Sequence, residues 1–173
     1  MFIANHQSTL DVLVLGALLR HDFTAVAKRE ARLDPRMAVI GAVLDPVWID
    51  RSNLANAKAS MDGAVRRLRD GDSILVLPEG TRMPTPSLGR FKKGAFHIAR
   101  QAGVPIVPIV LRNTGELAWR RSLVVNPGTV EVAVLDPVPT GDWGADDLDQ
   151  RIAEIRQRFA DTLEDWPAEA SIP

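Results

Sequence analysis

Short apolar runs alternate with segments of helical periodicity along this chain, an order that is typical of α/β proteins. The apolar runs predict strands at Phe2–Ala4, Thr24–Ala27, Pro46–Ile49, Ser73–Leu77, Ile106–Leu111, Leu123–Val125 and Val130–Leu135. The last two are expected to pair as a hairpin around Asn126-Pro127-Gly128, where Pro and Gly favour a turn. We therefore expect an α/β fold with about seven strands in one central sheet.

Helical periodicity predicts four helices, at Thr9–Leu19, Asn53–Arg69, Lys93–Gln101 and Ala145–Trp166. The second is expected to begin at a Ser52/Asn53 cap and to end before Gly71. In the last helix, apolar residues recur at steps of three or four: Leu148, Ile152, Ile155, Phe159, Leu163 and Trp166. This stripe is typical of an amphipathic helix that packs on a core.

Composition limits the class of protein. The 173 residues are 46% hydrophobic and 25% charged, which fits one folded domain over residues 1–173 and excludes a disordered chain. Because cysteine is absent, thiolate nucleophiles and cysteine metal sites are excluded. The three histidines form no His-Glu-x-x-His motif, so we expect no bound metal ion. The longest uncharged apolar runs have eight residues, whereas a membrane-spanning helix needs about 20.

The distribution of charge is uneven although the net charge is only −1. From Gly80 to Gly115 the chain carries six Lys or Arg residues and no Asp or Glu, whereas Asp136 to Glu169 carries ten acidic residues and three Arg. The acidic stretch is read as a solvated helix face. The basic stretch indicates a local site for an anionic ligand, and nothing predicts a nucleic-acid surface.

The segment Asn5-His6-Gln7-Ser8-Thr9-Leu10-Asp11 places a histidine at a predicted strand end and a carboxylate in the first turn of the next helix. A catalytic histidine needs one ring nitrogen held by an acceptor, so that the other nitrogen acts as a base. The same residues fit a second interpretation, because Ser8-x-x-Asp11 is also a capping box that stabilises a helix start. The spacing alone leaves both interpretations open.

The segment Leu77-Pro78-Glu79-Gly80-Thr81-Arg82 follows an apolar strand that we expect to be buried. Pro and Gly predict a tight turn at the carboxyl end of that strand, where open α/β sheets place ligands. It is not a phosphate-binding P-loop, because no Gly-Lys-Ser/Thr follows, and no Gly-x-Ser-x-Gly elbow marks a serine nucleophile. An ordinary turn with a solvent-exposed Arg82 is the alternative.

Four blocks in order resemble the glycerophospholipid acyltransferases of the lysophosphatidate acyltransferase type. They are Asn5 to Asp11, Gly41 to Arg51 with its Ile-Asp-Arg ending, Leu77 to Arg82 with Phe91-Lys92-Lys93-Gly94, and Val104-Pro105-Ile106-Val107-Pro108. The resemblance implies a largely parallel central sheet flanked by helices. Members of that family usually carry an amino-terminal membrane-associated segment before the His motif, and we expect this chain to lack it.

The resemblance implies an enzyme that moves a fatty acyl group from acyl-CoA or acyl carrier protein to the sn-2 hydroxyl of lysophosphatidate, giving phosphatidate in phospholipid biosynthesis. His6 is the implied base and Asp11 orients it. The acyl thioester is a co-substrate, and no further cofactor is expected. Substrate binding is assigned to Arg51, Glu79, Gly80, Thr81, Arg82, Lys92 and Lys93.

Within that set, Arg51, Arg82 and one of Lys92 or Lys93 are expected to hold the acceptor's phosphate, for which Arg offers a bidentate fork. Glu79 and Gly80 are expected to shape the glycerol site. Glu79 either accepts from a substrate hydroxyl or pairs with Arg82, and the sequence leaves both roles open.

The expected partners are a lysophospholipid, an acyl thioester and a membrane surface, and the expected location is cytoplasmic, peripheral to the inner face of the cell membrane. One alternative is an acyltransferase of the same family that uses glycerol 3-phosphate, another lysolipid or a glycolipid as acceptor. The other is a truncated, non-catalytic remnant that only binds lipid.

Overall fold

The structure, a computed structural model, describes residues 1–20, 23–29, 46–49, 54–83, 87–118 and 124–167. The strands are β1 (Phe2–Ala4), β2 (Thr24–Lys28), β3 (Val47–Ile49), β4 (Ile74–Val76), β5 (Val107–Arg112) and β6 (Glu131–Val134). The helices are α1 (Leu10–Leu19), α2 (Leu54–Arg69), α3 (Lys93–Ala102), α4 (Thr114–Leu117) and α5 (Leu148–Glu164). The four predicted helices are found within a few residues of their expected ends, and α4 was not predicted.

The strands form one sheet in the order β3-β2-β4-β1-β5-β6. The first five are parallel to their neighbours, and β6 is antiparallel to β5. The expectation of a largely parallel sheet is therefore confirmed. Strand β1 lies between β4 and β5, with Ile3 opposite Val76 on one side and Pro108 on the other. Because parallel strands end at the same edge, the segments that follow β1 and β4 lie side by side.

Both faces of the sheet are covered, and successive strand residues point to opposite faces. On one face Ile3, Val76 and Val110 belong to a buried cluster completed by α2, α3 and α5. On the other face Ala4, Leu75 and Ile109 pack against Leu15 of α1. Residues buried on both faces explain why these strands read as continuous apolar runs rather than as alternating ones.

The amphipathic reading of α5 is confirmed. Four positions of its predicted stripe are buried: Leu148, Ile152, Ile155 and Phe159. The other two, Leu163 and Trp166, are partly buried and pack against the same core. Spacing at three and four residues was enough to identify this face because it faces a single partner surface.

The predicted hairpin around Asn126-Pro127-Gly128 is wrong. Strand β6 pairs instead with β5, with Arg112 opposite Glu131, and Val124 and Val125 lie in no strand. The Asn126 N–H donates to the carbonyl of Leu117 at 2.7 Å, so this segment runs beside α4. The described sheet accordingly has six strands instead of about seven, and Leu123 lies outside the described residues.

None of the helices in the described part of the chain is both long enough and apolar enough to cross a bilayer. The expected Ser52/Asn53 cap of α2 lies outside the described residues, as do Asp50 and Arg51 of the Ile-Asp-Arg ending, whereas Ile49 is the last residue of β3.

Candidate active site

The chain leaves the centre of the sheet through Asn5. Its side chain donates to the carbonyl of Leu111 at 2.8 Å and accepts from the N–H of the same residue at 2.8 Å. The buried amide thus continues the β1–β5 pairing by one position after the β1 backbone has turned away. This anchor places His6 just beyond the end of β1 and directs the next residues into α1.

His6 and Asp11 are in contact. His6 Nδ1 lies 2.8 Å from Asp11 Oδ2, and Asp11 is completely buried, whereas the His6 side chain is 15% exposed. An ionised carboxylate only accepts hydrogen bonds, so this geometry favours the tautomer with its proton on Nδ1. In that tautomer Nε2 carries no proton and is the ring nitrogen that can accept one.

Asp11 also stabilises the start of α1, as the capping interpretation of its spacing predicts. The same Oδ2 accepts from the backbone N–H groups of Gln7 at 2.7 Å and Ser8 at 2.8 Å. Ser8 Oγ donates to the carbonyl of Ala118 at 2.6 Å and accepts from the Leu10 N–H at 3.2 Å. Capping and orienting the imidazole are therefore carried out by one carboxylate oxygen.

Glu79 lies in the turn after β4, where the Gly80 N–H donates to the carbonyl of Leu77 at 2.9 Å. Glu79 is only 3% exposed. Its Oε1 accepts from the His6 N–H and its Oε2 from the Gly89 N–H, each at 2.8 Å. Burial raises the pKa of Glu79, and the two backbone N–H groups of His6 and Gly89 act in the opposite direction. Both oxygens thus brace backbone segments of the site.

Arg82 does not form an ion pair with Glu79, which was one of the two roles that the sequence left open for Glu79. Its Nη1 donates instead to Thr9 Oγ1 at 2.6 Å, which brings the guanidinium to the amino-terminal end of α1, three residues beyond His6 in sequence. The adjacent Met83 N–H donates to the His6 carbonyl at 3.0 Å. The turn after β4 is therefore joined to the His6 segment at three positions, and Arg82 is held at the start of α1.

The other predicted binding residues occupy different surroundings. Lys92 packs across Gly80, so close that a Cβ on Gly80 would lie 2.9 Å from Lys92 Nζ, and Gly80 has a positive φ of 67°. Lys93 forms an exposed ion pair with Asp149 of α5 at 2.7 Å. Thr81 is exposed at the same turn. Arg51 lies outside the described residues.

A cavity of about 270 Å³ adjoins this turn. Its wall is mainly hydrocarbon, with Lys92 as the charged exception: it includes Val26, Met61, Val76, Leu77, Ala95 and Ile98. Such a wall suits an apolar chain and gives little to a polar one. Among the described residues, no group of three or more His, Asp or Glu side chains is placed to hold a metal ion.

Sequence reasoning missed two parts of the site. Thr9 was read only as the start of a helix, although it holds Arg82. Gly89 was not singled out, although a Cβ there would lie 2.5 Å from Glu79 Oε2 and 2.6 Å from Met83 Sδ. In the sequence, Gly89 stands between Arg82 and the basic residues Arg90, Lys92 and Lys93. This position does not reveal that the backbone N–H of Gly89 donates to a carboxylate.

This chain is similar to known proteins both in sequence and in structure. The family model described as Acyltransferase matches residues 1–112, which contain the His6–Asp11 pair and the turn of Glu79. The 1-acyl-sn-glycerol-3-phosphate acyltransferase of Saccharomyces cerevisiae is 34% identical over 95% of this chain and 55% of its own length. The alpha form from Homo sapiens is 34% identical over 89% of this chain and 55% of its own.

An uncharacterized acyltransferase of Schizosaccharomyces pombe is 38% identical over 94% of this chain and 60% of its own length. This chain therefore spans a little over half the length of these curated relatives. The crystal structure of the 1-acyl-sn-glycerophosphate acyltransferase from Thermotoga maritima superposes with a TM-score of 0.77 at 26% identity, covering 97% of this chain and 67% of that one. With the family match over residues 1–112, these similarities show that the chain belongs to the acyltransferase family.

Proposed function

We propose that this chain transfers a fatty acyl group from acyl-CoA or acyl carrier protein to the sn-2 hydroxyl of lysophosphatidate, forming phosphatidate. The observation that carries the proposal is the 2.8 Å contact between His6 Nδ1 and the buried Asp11, with Arg82 held at the start of the same helix. An imidazole and a guanidinium near the start of one helix suit an acceptor that carries both a hydroxyl and a phosphate. The names of the relatives from yeast and human support this choice of acceptor.

The chemistry needs only one proton carrier. His6 Nε2 takes the proton from the sn-2 hydroxyl as that oxygen forms a bond to the thioester carbonyl carbon. The carbon–sulfur bond of the resulting tetrahedral adduct then breaks, and the leaving thiolate receives the proton back from His6. Asp11 stabilises the imidazolium that exists between these events and keeps its Nδ1 proton in place. No covalent acyl-enzyme forms, which suits a chain without cysteine.

The acceptor's phosphate is assigned to Arg82, Thr81 and Lys92, together with Arg51. Arg82 uses Nη1 on Thr9 and retains further donors in its guanidinium fork. Lys92 reaches the same turn from the start of α3, across Gly80. Lys93 is the weaker of the two lysine candidates, because its exposed pair with Asp149 directs it toward α5.

Glu79 and Gly80 shape the glycerol part of the site. Because both carboxylate oxygens of Glu79 accept backbone N–H groups, Glu79 sets the position of the turn. The cavity of about 270 Å³ beside Gly80 has the hydrocarbon wall that an acyl chain requires.

The proposal includes peripheral binding to the inner face of the cell membrane. Helix α1 is apolar on nearly every side: Leu15 packs inward, while Leu13 is 57% and Leu18 44% exposed. Exposed apolar residues on a helix favour insertion among lipid headgroups. Since α1 starts beside Asp11, a lipid-bound α1 brings the His6–Asp11 pair to the membrane surface.

The test compares lysophosphatidate with the matching monoacylglycerol, which lacks the phosphate, both presented in vesicles with an acyl-CoA donor. A charge-assisted hydrogen bond contributes about 1.5–3 kcal/mol, so Arg82→Ala should lower kcat/KM for lysophosphatidate by about 10- to 150-fold. The loss on monoacylglycerol should be much smaller. Co-sedimentation with the same vesicles should fall for Leu13→Gln.

Thr9→Val is the matched control, because it removes the tether of Arg82 but keeps the cation, and Thr9 makes no side-chain capping hydrogen bond. It should cost less than Arg82→Ala on lysophosphatidate. Equal losses on both acceptors would instead assign Arg82 to holding the turn. Transfer only to another acceptor would identify a different member of the family. If the thioester is not consumed with any acceptor, only lipid binding is left.

A further inference from the structure

The side chain of Arg156 in helix α5 contacts the backbone of the loop at residues 88–89. Arg156 Nε donates to the carbonyl of Gly89 at 2.9 Å, and its Nη2 donates to the carbonyl of Leu88 at 2.7 Å. Two neighbouring carbonyls are thus held by one guanidinium, which is the planar fork that Arg offers and Lys does not. Arg156 is partly buried, and it lies beyond the residues 1–112 that the family model matches.

The carbonyl of Leu88 and the N–H of Gly89 belong to the same peptide group. Arg156 donates to the oxygen of that peptide group, and the N–H of the same group, from Gly89, donates to Glu79 Oε2 at 2.8 Å. A cation at the carbonyl polarises the peptide and strengthens the hydrogen bond made by its N–H. The positive charge of Arg156 therefore acts on the buried carboxylate of Glu79 through one rigid peptide unit.

The path continues to the base. Glu79 Oε1 accepts the His6 N–H at 2.8 Å, and His6 Nδ1 contacts Asp11. One carboxylate thus joins the loop held by α5 to the backbone of the residue that carries the imidazole. A shift of Glu79 therefore moves His6 relative to the substrates. Arg156 controls this position although it contacts neither Glu79 nor His6 directly.

We propose that Arg156 is a positioning residue for the acyl transfer, which holds the 88–89 peptide so that Glu79 fixes the backbone of His6. The part of this proposal that concerns the rate of acyl transfer rests on the proposed function. Its structural part, the link from Arg156 to the amides of Gly89 and His6, stands independently of which reaction the chain catalyses.

A role limited to fastening α5 is separable from this one. Phe159, one turn further along α5, packs edge-on against Phe91 with ring centroids 5.2 Å apart, and Ile152 and Ile155 are buried in the same core. These apolar contacts keep α5 docked when the guanidinium is removed. Arg156→Met keeps most of the side chain's hydrocarbon and removes only the charge and its donors.

The experiment records the backbone amide signals of His6 and Gly89 by NMR and the steady-state kinetics of the same samples. In Arg156→Met, both amide protons should move upfield as their hydrogen bonds to Glu79 weaken. The kcat should fall by about 10-fold, less than the ~100-fold that a full 1 Å misplacement costs, with KM for lysophosphatidate changed by less than about twofold. Arg156→Lys should recover part of kcat, since it keeps the charge but holds one carbonyl at a time.

Two controls lie on the same helix. Arg158→Met removes an exposed cation, and Ile152→Val removes a methylene from the core and lowers the melting temperature, so neither should move the two amide signals or kcat. The proposal is overturned if Arg156→Met behaves like Ile152→Val, with a lower melting temperature but unchanged amides and kcat. If no sample transfers acyl groups to any acceptor, the proposed function fails, and the amide signals still decide whether Arg156 acts on Glu79.

Discussion

Replacing Asp11 with Asn separates the charge of this side chain from its shape. A single oxygen, Oδ2, accepts from His6 Nδ1 and from the N–H groups of Gln7 and Ser8, whereas Oδ1 is buried and accepts from none of the described residues. The amide oxygen of Asn would therefore take the place of Oδ2, because three donors converge there. In that orientation it still accepts from His6 Nδ1, so the tautomer is kept.

The expected loss of activity is consequently that of the charge alone. A hydrogen bond to a charged group contributes about 1.5–3 kcal/mol and a neutral one about 0.5–1.5 kcal/mol, which leaves a difference of about 1–2 kcal/mol. Asp11→Asn should lower kcat/KM by about 5- to 30-fold. The amide nitrogen would occupy the place of buried Oδ1, and an unpaired buried donor costs about 1–3 kcal/mol of the free energy of unfolding.

The assay is release of free thiol from acyl-CoA in the presence of lysophosphatidate, combined with urea unfolding of the same variants. His6→Ala should nearly abolish turnover, and Asp11→Asn in that background should add almost nothing, because the two residues act as a unit. A loss of several thousandfold in Asp11→Asn would show that the amide flips and imposes the wrong tautomer. Near-normal activity would show that Asp11 serves only as a helix cap.

Two further predictions concern other parts of the chain. Gly89→Ala should lower kcat by about 10-fold or more, because its Cβ would lie 2.5 Å from Glu79 Oε2 and force the loop away; Gly141→Ala, with nothing within 4 Å, should have little effect in the same assay. Burial and the nearby Arg100 and Lys93 lower the pKa of His97 from the ordinary histidine value of 6.5. Because the unfolded chain then binds a proton at His97 more readily than the folded chain, the free energy of unfolding should fall as the pH drops below 6.5. Urea unfolding at several pH values should show a flatter decline for His97→Gln, and an unchanged slope would contradict the assignment.

Local patterns predicted the parts of the fold that depend on local spacing. The stripe of α5 and the continuous apolar runs of β1, β4 and β5 were visible because each element faces one or two extended apolar surfaces. The pairing of β6 with β5 could not be predicted from the sequence. Arg112 lies opposite Glu131 in this pair, and no short turn motif connects the two strands. The Pro-Gly pair at residues 127–128 is a turn signal, but it does not specify which strands it connects.

The candidate site shows the same division. The contact of His6 with Asp11 follows from a five-residue spacing across a helix start, and the sequence therefore indicated it. Arg156 lies 67 residues from Gly89 along the chain, so no local pattern relates them. Its stretch was read as a solvated acidic face, and one inward-facing guanidinium on such a helix has no signature in composition.

The position of β1 has a consequence for how the protein folds. Phe2 is paired with Leu75 on one side and with Val107 on the other, so the strand that carries His6 is bound entirely by partners distant in sequence. Contacts of this kind close long loops, and proteins dominated by them fold slowly. During synthesis the His6 segment must remain unpaired until β4 and β5 have left the ribosome. The His6 segment therefore reaches its final place late in folding, once β4 and β5 have closed around β1.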